Sequence, residues 1–178
     1  MTWLSENKTD FDVAPGKTVS VRITADSSAV SQPGTYEGLV FVSTDSPYGG
    51  VGPVKVTMTA TPPAAWGKIA GTVTNSSGQP VAGATVAVCT MYDTKTGACG
   101  PTTFTLKTDG QGHYQLWLNK GYNPLQVIFA KDGFTPVMKI VKVQKGETVT
   151  TDVKLTANSA FSTAKTQQYL NDTIKRSK

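Results

Sequence analysis

A strict alternation of apolar and polar residues recurs along most of this chain and limits what the chain can fold into. It is clearest in GTVTNSSGQPVAGATVAV at residues 71–88, where two alternating runs flank a turn rich in Asn, Ser, Gly and Pro. Successive side chains of a strand point to opposite faces, so a period of two predicts strands rather than helices. No long amphipathic helical pattern occurs before residue 157. The sequence therefore predicts an all-β fold.

A proline-rich segment divides this alternation into two blocks. TPPAAW at residues 61–66 contains adjacent prolines, which are excluded from central strands and favour an extended connector. We therefore expect two β-sandwich domains in tandem, the first over residues 1–62 and the second over 68–156, joined by a linker over 63–67. The second block holds about seven alternating runs, enough to close one sandwich. Two of the predicted strands are Val19–Ile23 in the first block and Val149–Leu155 in the second.

The last segment, residues 157–178, has a different pattern. It is polar, and its apolar residues are spaced loosely like one face of a helix: Phe161, Tyr169, Leu170 and Ile174. A helix of this length is marginal by itself. Three interpretations remain open for this tail: a linker to another domain, a docked helix, or a strand that pairs elsewhere.

The two cysteines, Cys89 and Cys99, flank the turn-rich loop MYDTKTGA. Their spacing suits a local disulfide, which would stabilise the fold by about 2–3 kcal/mol and would require an oxidising compartment. The alternative is a pair of free thiols. A metal site is disfavoured because two ligands are too few and no histidine lies nearby.

Charge and hydropathy exclude two classes of partner. The net charge is +5, but Lys and Arg are scattered, and only KRSK at residues 175–178 forms a cluster. A protein that binds nucleic acid needs a basic stripe on one element, so we expect no nucleic-acid partner. No apolar run approaches the length of about eighteen residues that a membrane span requires. The start, MTWLSENK, lacks the apolar core of a signal peptide, so an export signal would lie outside this chain.

The sequence also lacks the patterns that enzymes use. The single histidine, His113, alternates with Tyr114 and is expected to point outward. A nucleophile–histidine pair needs a third group that orients the base, and no G-x-S-x-G turn, P-loop or dinucleotide motif occurs. The twelve acidic residues lie mostly in turns, where they cap backbone amides. We therefore predict a protein that is not an enzyme and needs no cofactor or metal.

Three stretches of the second block resemble a known family: GTVTNSSGQPVAGATVAV, TLKTDGQGHYQLWL and GYNPLQVIFAKDGFTP. They are similar to the carboxypeptidase regulatory-like domain, a prealbumin-like β-sandwich, over about residues 68–156. The shared motifs are a turn followed by G-A-T-V, the pattern T-D-x-x-G-x-Y, and a glycine–aromatic pair at Gly133 and Phe134. The loop between Cys89 and Cys99 is longer than in the simple form of the family.

The first block resembles BACON and related immunoglobulin-like repeats of bacterial secreted proteins. The two blocks in this order are similar to C-terminal regions of secreted subtilisin-like peptidases and to stalks of bacterial surface proteins. The resemblance implies a non-catalytic module that is extracellular or at the cell surface. The metal-binding motif of the zinc peptidase that gives the family its name is absent.

The start of the chain departs from the BACON pattern. Those repeats have strands before the strand that contains the tryptophan, whereas this chain begins two residues before Trp3. A sandwich with a missing strand leaves an exposed edge. One hypothesis is that a neighbouring subunit fills the gap with a strand, such as its tail at 157–178, and so forms a polymer. The alternative is a first domain that the chain simply cuts short.

Several apolar residues fall on the outward register of their strands, which indicates a covered face. They are Trp117 and Ile128 in the second block and Leu39 and Phe41 in the first. The cover could be the other domain, another subunit, or a sugar ring stacked on Trp117. Trp66 lies in the predicted linker and is expected to wedge between the domains.

Together these patterns predict a structural or adhesion module, such as a subunit of a self-assembling surface filament. The alternative is a substrate- or glycan-binding accessory region of a secreted subtilisin-like peptidase. The expected partners are a second copy of the chain, neighbouring domains of a larger secreted protein, or a glycan.

Overall fold

The computed structural model describes residues 2–45 and 51–174 of the chain. The KRSK cluster and residues 46–50 of the predicted DSPYGG loop lie outside the described residues. The chain divides into two compact units, residues 1–62 and 63–178. In the described residues both units are built from β-strands, with one short α-helix near residue 170, so the predicted all-β class is confirmed.

The first unit contains two antiparallel pairs of strands. The short strand β1 (Leu4–Glu6) pairs with β2 (Ile23–Ala25), and the longer β3 (Gly34–Val42) pairs with β4 (Val51–Ala60). The buried core is small: Trp3, Met58 and Ala60 are buried, and the Trp3 ring lies 6.1 Å from that of Tyr36.

The predicted strand Val19–Ile23 is wrong for most of its length. The structure forms a strand only from Ile23 onward, where the chain pairs with β1. Alternation alone does not make a strand, because the backbone groups need a partner, and β1 supplies one for three residues only.

The second unit is a β-sandwich of eight strands. In chain order these are β5 (Trp66–Asn75), β6 (Thr85–Cys89), β7 (Thr103–Lys107), β8 (His113–Asn119), β9 (Leu125–Ala130), β10 (Val137–Val141), β11 (Thr148–Thr150) and β12 (Val153–Leu155). One sheet has the order β10-β9-β6-β7. In the other, β5 pairs with antiparallel β8 and, in parallel, with β11 and then β12. The inward side chains of both sheets form one core that includes Ile69, Val86, Leu118, Val127 and Phe129.

The strand β5 begins earlier than the sequence indicated. Trp66 and Gly67 were expected in the linker, but both belong to β5, where Trp66 lies opposite Asn119 of β8. The chain enters this strand from a turn in which the Trp66 amide donates to the Pro63 carbonyl at 2.9 Å.

The predicted strand Val149–Leu155 is broken into β11 and β12 at Thr151 and Asp152. At this point the chain passes so close to β5 that a Cβ atom on Gly71 would overlap the carbonyl oxygen of Thr151. The Thr151 amide still donates to Ala70 at 2.8 Å, and the Asp152 carboxylate accepts the Thr72 amide at 2.8 Å. A side chain therefore replaces the backbone bond that the break removes.

The tail forms a helix that docks on its own unit. The helix α1 (Thr163–Ile174) places Leu170 against Ala87, Ile128 and Ala130 on the outer face of β6 and β9. The structure therefore shows the docked-helix interpretation. In the described part of the tail, β-pairing is limited to an isolated bridge between Ala157 and Phe134.

Replacing Gly71 by Ala is expected to lower the free energy of unfolding by about 1–3 kcal/mol, because the added methyl group meets backbone that must move. Urea unfolding followed by tryptophan fluorescence measures the loss. Gly110→Ala is the matched control, since a Cβ atom there meets nothing within 4 Å. Equal unfolding midpoints for the two variants would contradict the close crossing at Gly71.

Candidate functional site

The disulfide between Cys89 and Cys99 is present and closes an ordered loop beyond β6. Asp93 organises the loop, because its carboxylate accepts the Lys95 amide at 2.8 Å and the Thr96 hydroxyl at 2.7 Å. These hydrogen bonds, the one from Thr96 first, lower the pKa of Asp93. The Cys99 sulfur lies 3.7 Å from the Thr173 carbonyl oxygen of α1, so the disulfide also contacts the helix. The loop therefore has a structural role.

Ile128 lies on the outward face of β9, as its register indicated, but the cover differs from all three that were considered. Its side chain is fully buried beneath Leu170 of α1. The expectation of a ligand or partner surface at Ile128 is thus wrong, because the chain covers this face with its own tail. The spacing of Tyr169, Leu170 and Ile174 was the sequence signal for this contact.

The outer face of β5 and β8 carries the second group of predicted residues. Lys68 lies opposite Trp117, Ala70 opposite Gln115 and Thr72 opposite His113. The Trp117 ring is half-buried, and the Lys68 ammonium lies 5.4 Å from its centroid. This geometry is a cation–π contact.

Trp66 belongs to the same outer face. It is half-buried and lies opposite Asn119, two residues along the strands from the pair formed by Lys68 and Trp117. The structure therefore brings Trp66 and Trp117 onto one surface with amide and ammonium groups around them. Such a surface can stack against and hydrogen-bond a ligand.

An open depression adjoins this face, and several of its ionisable residues form hydrogen bonds with the backbone. Asp109 accepts the Gln111 and His113 amides at 2.9 and 2.8 Å, and the His113 ring lies 3.6 Å from its second oxygen. The Tyr114 hydroxyl donates to the Thr151 carbonyl at 2.7 Å, and burial raises its pKa to about 12. This hydrogen bond ties β8 to the segment between β11 and β12.

Metal and membrane sites were also sought. Within residues 2–45 and 51–174, no group of three or more His, Cys, Asp or Glu side chains is placed to hold a metal ion. No helix in the described part of the chain is long and apolar enough to cross a bilayer.

The hairpin of β3 and β4 carries most of the exposed large apolar side chains found in the described part of the first unit. Leu39 is 48% exposed and Phe41 is 73% exposed, so both side chains reach solvent on the outward side that their register indicated. Sequence reasoning missed three further exposed residues near the same end of the hairpin: Val42, Val51 and Val54. Among the described residues, β3 pairs with β4 alone. The hairpin therefore combines an open strand edge with an apolar surface.

Comparison with known proteins identifies one family. The model of the carboxypeptidase regulatory-like domain matches residues 68–156, which include the whole of β6 to β12 and most of β5. The search of curated proteins found no match to this chain.

Several solved structures resemble the chain at low identity. Catechol 1,2-dioxygenase from Acinetobacter sp. ADP1 is 13% identical, with 57% of this chain and 55% of that one covered and a TM-score of 0.42. The major pilin SpaD from Corynebacterium diphtheriae is 18% identical, with 51% and 30% covered and a TM-score of 0.40. The TIE protein of Bacillus anthracis is 13% identical, with 77% and 28% covered and a TM-score of 0.41. This chain spans between 54% and 63% of the length of four further dioxygenases.

Removing the disulfide by the double change Cys89→Ser and Cys99→Ser is expected to lower the free energy of unfolding by about 2–3 kcal/mol, because the open loop gains entropy in the unfolded chain. Urea unfolding measures this loss. Reductant should reproduce it in the unchanged protein and have no effect on the variant. A protein that unfolds at the same urea concentration with and without reductant would contradict a stabilising role.

Proposed function

The chain belongs, through residues 68–156, to the carboxypeptidase regulatory-like domain family, and from this membership we propose that it is a non-catalytic structural module of an extracellular or cell-surface protein. The buried disulfide supports this location, because such bonds persist in oxidising compartments. The roles of Asp109, Asp152 and Tyr114 support the absence of catalysis, since each is engaged with the backbone.

We further propose that the first unit is an immunoglobulin-like repeat of the BACON type within a secreted peptidase or a surface protein. Its antiparallel hairpin and small tryptophan core support this assignment. The open edge of β3 is the observation that carries the proposed function. This edge would join a second copy of the chain and make the module an assembly element.

The two outer edges of the hairpin are not equivalent. β4 contains Pro53, which has no amide hydrogen to donate. β3 contains no proline, and its one charged residue, Glu37, is paired with Lys55 of β4 at 2.7 Å. The edge of β3 is therefore the one that accepts a further strand.

The side chains of β3 favour a second β3 as that strand. In an antiparallel pair centred on Val40, Leu39 of each copy lies opposite Phe41 of the other, and Glu37 lies opposite Ser43. A pair centred on Glu37 would instead place two carboxylates opposite each other. Apolar cross-strand pairs stabilise a sheet, whereas like charges opposite each other destabilise it. The register centred on Val40 thus buries the exposed Leu39 and Phe41 without a charge conflict.

The tail is not used in this arrangement. Residues 163–174 form α1, whose Leu170 is buried on the tail's own unit, so a tail acting as a donor strand would first have to undock and unwind. We therefore assign self-association to β3 instead of to residues 157–178.

The mass of the oxidised chain by light scattering, over a range of concentrations, tests the pairing. We expect about twice the monomer mass of 18.8 kDa at high concentration. Phe41→Glu should return the chain to the monomer, because it places an unpaired charge in the apolar pair. Thr59→Glu adds the same charge to an exposed position of β4, opposite the neutral Thr35, and should leave the dimer intact.

A second measurement fixes the register. A mixture of the single variants Leu39→Cys and Phe41→Cys should form a disulfide-linked mixed dimer on oxidation, whereas a mixture of Leu39→Cys and Thr59→Cys should not. A wild-type chain that stays at 18.8 kDa at every concentration, or equal behaviour of the two Glu variants, would overturn pairing through β3.

The outer face around Trp117 supports a second candidate function, the binding of a glycan. An aromatic ring with nearby amide and ammonium groups is the chemistry that recognises a sugar. Retention on immobilised polysaccharides tests it: Trp117→Ala should abolish binding and Trp117→Phe should keep part of it. A wild-type chain that none of the polysaccharides retains would remove this candidate.

A further inference from the structure

The first and last strands of the second unit lie side by side and run in the same direction. β5 opens the unit at Trp66, and β12 ends at Leu155, which lies opposite Asn75 at the far end of β5. The chain therefore enters at one end of β5 and leaves near the other end. We propose that this parallel arrangement makes the second unit a tension-bearing element, which resists forces that pull on the polypeptide on either side of it.

The reason is the direction of such a force. A pull on the chain before Trp66 and after Leu155 acts along β5 and β12 in opposite directions, so it shears the two strands past each other. In shear, the hydrogen bonds between the strands carry the force together, and several must break in one step. When strands are peeled apart from one end, the bonds break one after another, and each step has a lower barrier.

Hydrogen bonds join β5 to the C-terminal strands along its whole length. Near the start of β5, the Gly146 amide donates to Trp66 and the Lys68 amide to Glu147, each at 2.8 Å. β11 then pairs with residues 68–70, and β12 pairs with residues 73–75.

The break between β11 and β12 does not interrupt this connection. The Thr151 amide donates to Ala70, and the Asp152 carboxylate accepts the Thr72 amide, so bonds continue across the gap. Asp152 thereby serves as a mechanical link, a role that its position in a turn-like break would not reveal.

Two further features also resist extension of the chain under force. Beyond β12 the chain stays attached, since the Asn158 amide donates to Gly133 at 2.6 Å and the Gly133 amide donates to Phe161 at 2.7 Å. The disulfide between Cys89 and Cys99 prevents residues 90–98 from extending even after the unit opens. This resistance to force goes beyond the proposed assembly role and does not depend on the pairing of β3.

Single-molecule pulling at constant force on the full oxidised chain tests the proposal. Handles are attached through clickable amino acids at two pairs of exposed positions that share one member. The pair Ala64 and Ser159 loads β5 and β12 in shear. The pair Ser77 and Ser159 loads the same strands from one end, because Ser77 follows β5 in the turn next to Leu155. We expect unfolding in shear to be at least about tenfold slower at equal force.

The variant Asp152→Ala provides the second readout. It removes the bond to Thr72, and we expect it to speed unfolding in shear by roughly fivefold. The rate in the peeling geometry should change less, because there the bond breaks on its own. Equal wild-type unfolding rates in the two geometries would overturn the proposal. Urea unfolding of the handle-bearing chains without force confirms that each starts from the same fold.

Discussion

The close approach of the C-terminal chain to β5 is the contact on which the second unit depends. β5 contributes the fully buried Ile69 and Val73 to the core, and it pairs with β8, β11 and β12. The approach is possible because β5 has glycine at two crossing points. A Cβ atom on Gly67 would overlap the Gln144 carbonyl oxygen, and one on Gly71 would overlap that of Thr151. The motif WGKIAG is therefore a packing requirement rather than a ligand loop.

Alternation predicted the core of the second unit well, because a strand that faces a core on one side must place an apolar residue at every second position. Val86, Leu116 and Val127 are all buried as their register indicated. It could not predict where a strand is interrupted by contacts with a distant part of the chain. Thr151 and Asp152 continue the alternating pattern, but the crossing over Gly71, eighty residues earlier in the sequence, breaks the strand there.

The same limit explains why the exposure of the candidate site residues could not be predicted from the sequence. Ile128, Trp117 and Phe41 share one sequence signal, an apolar residue in the outward register, yet they differ widely in exposure. Ile128 is fully buried under α1, Trp117 is half-buried beside Lys68, and Phe41 is 73% exposed. The register fixes the face on which a side chain lies. Whether other residues cover that side chain depends on segments such as the tail. The tail docks through only a few apolar residues, so the sequence signal for its docking is weak.

A comparison of strand edges within this chain supports assembly through the first unit. In the second unit, the edge strand β10 carries Lys139 opposite Val127, so a charged residue occupies a core-facing position and its side chain is exposed. An inward-pointing charge of this kind blocks the addition of a further strand. β7 is short and ends in Lys107. β3 is nine residues long, and the charge of its single carboxylate, Glu37, is matched by Lys55. Unlike the edges at β10 and β7, the edge of β3 carries no lysine and lies beside the exposed Leu39 and Phe41, which favours it as the strand that pairs.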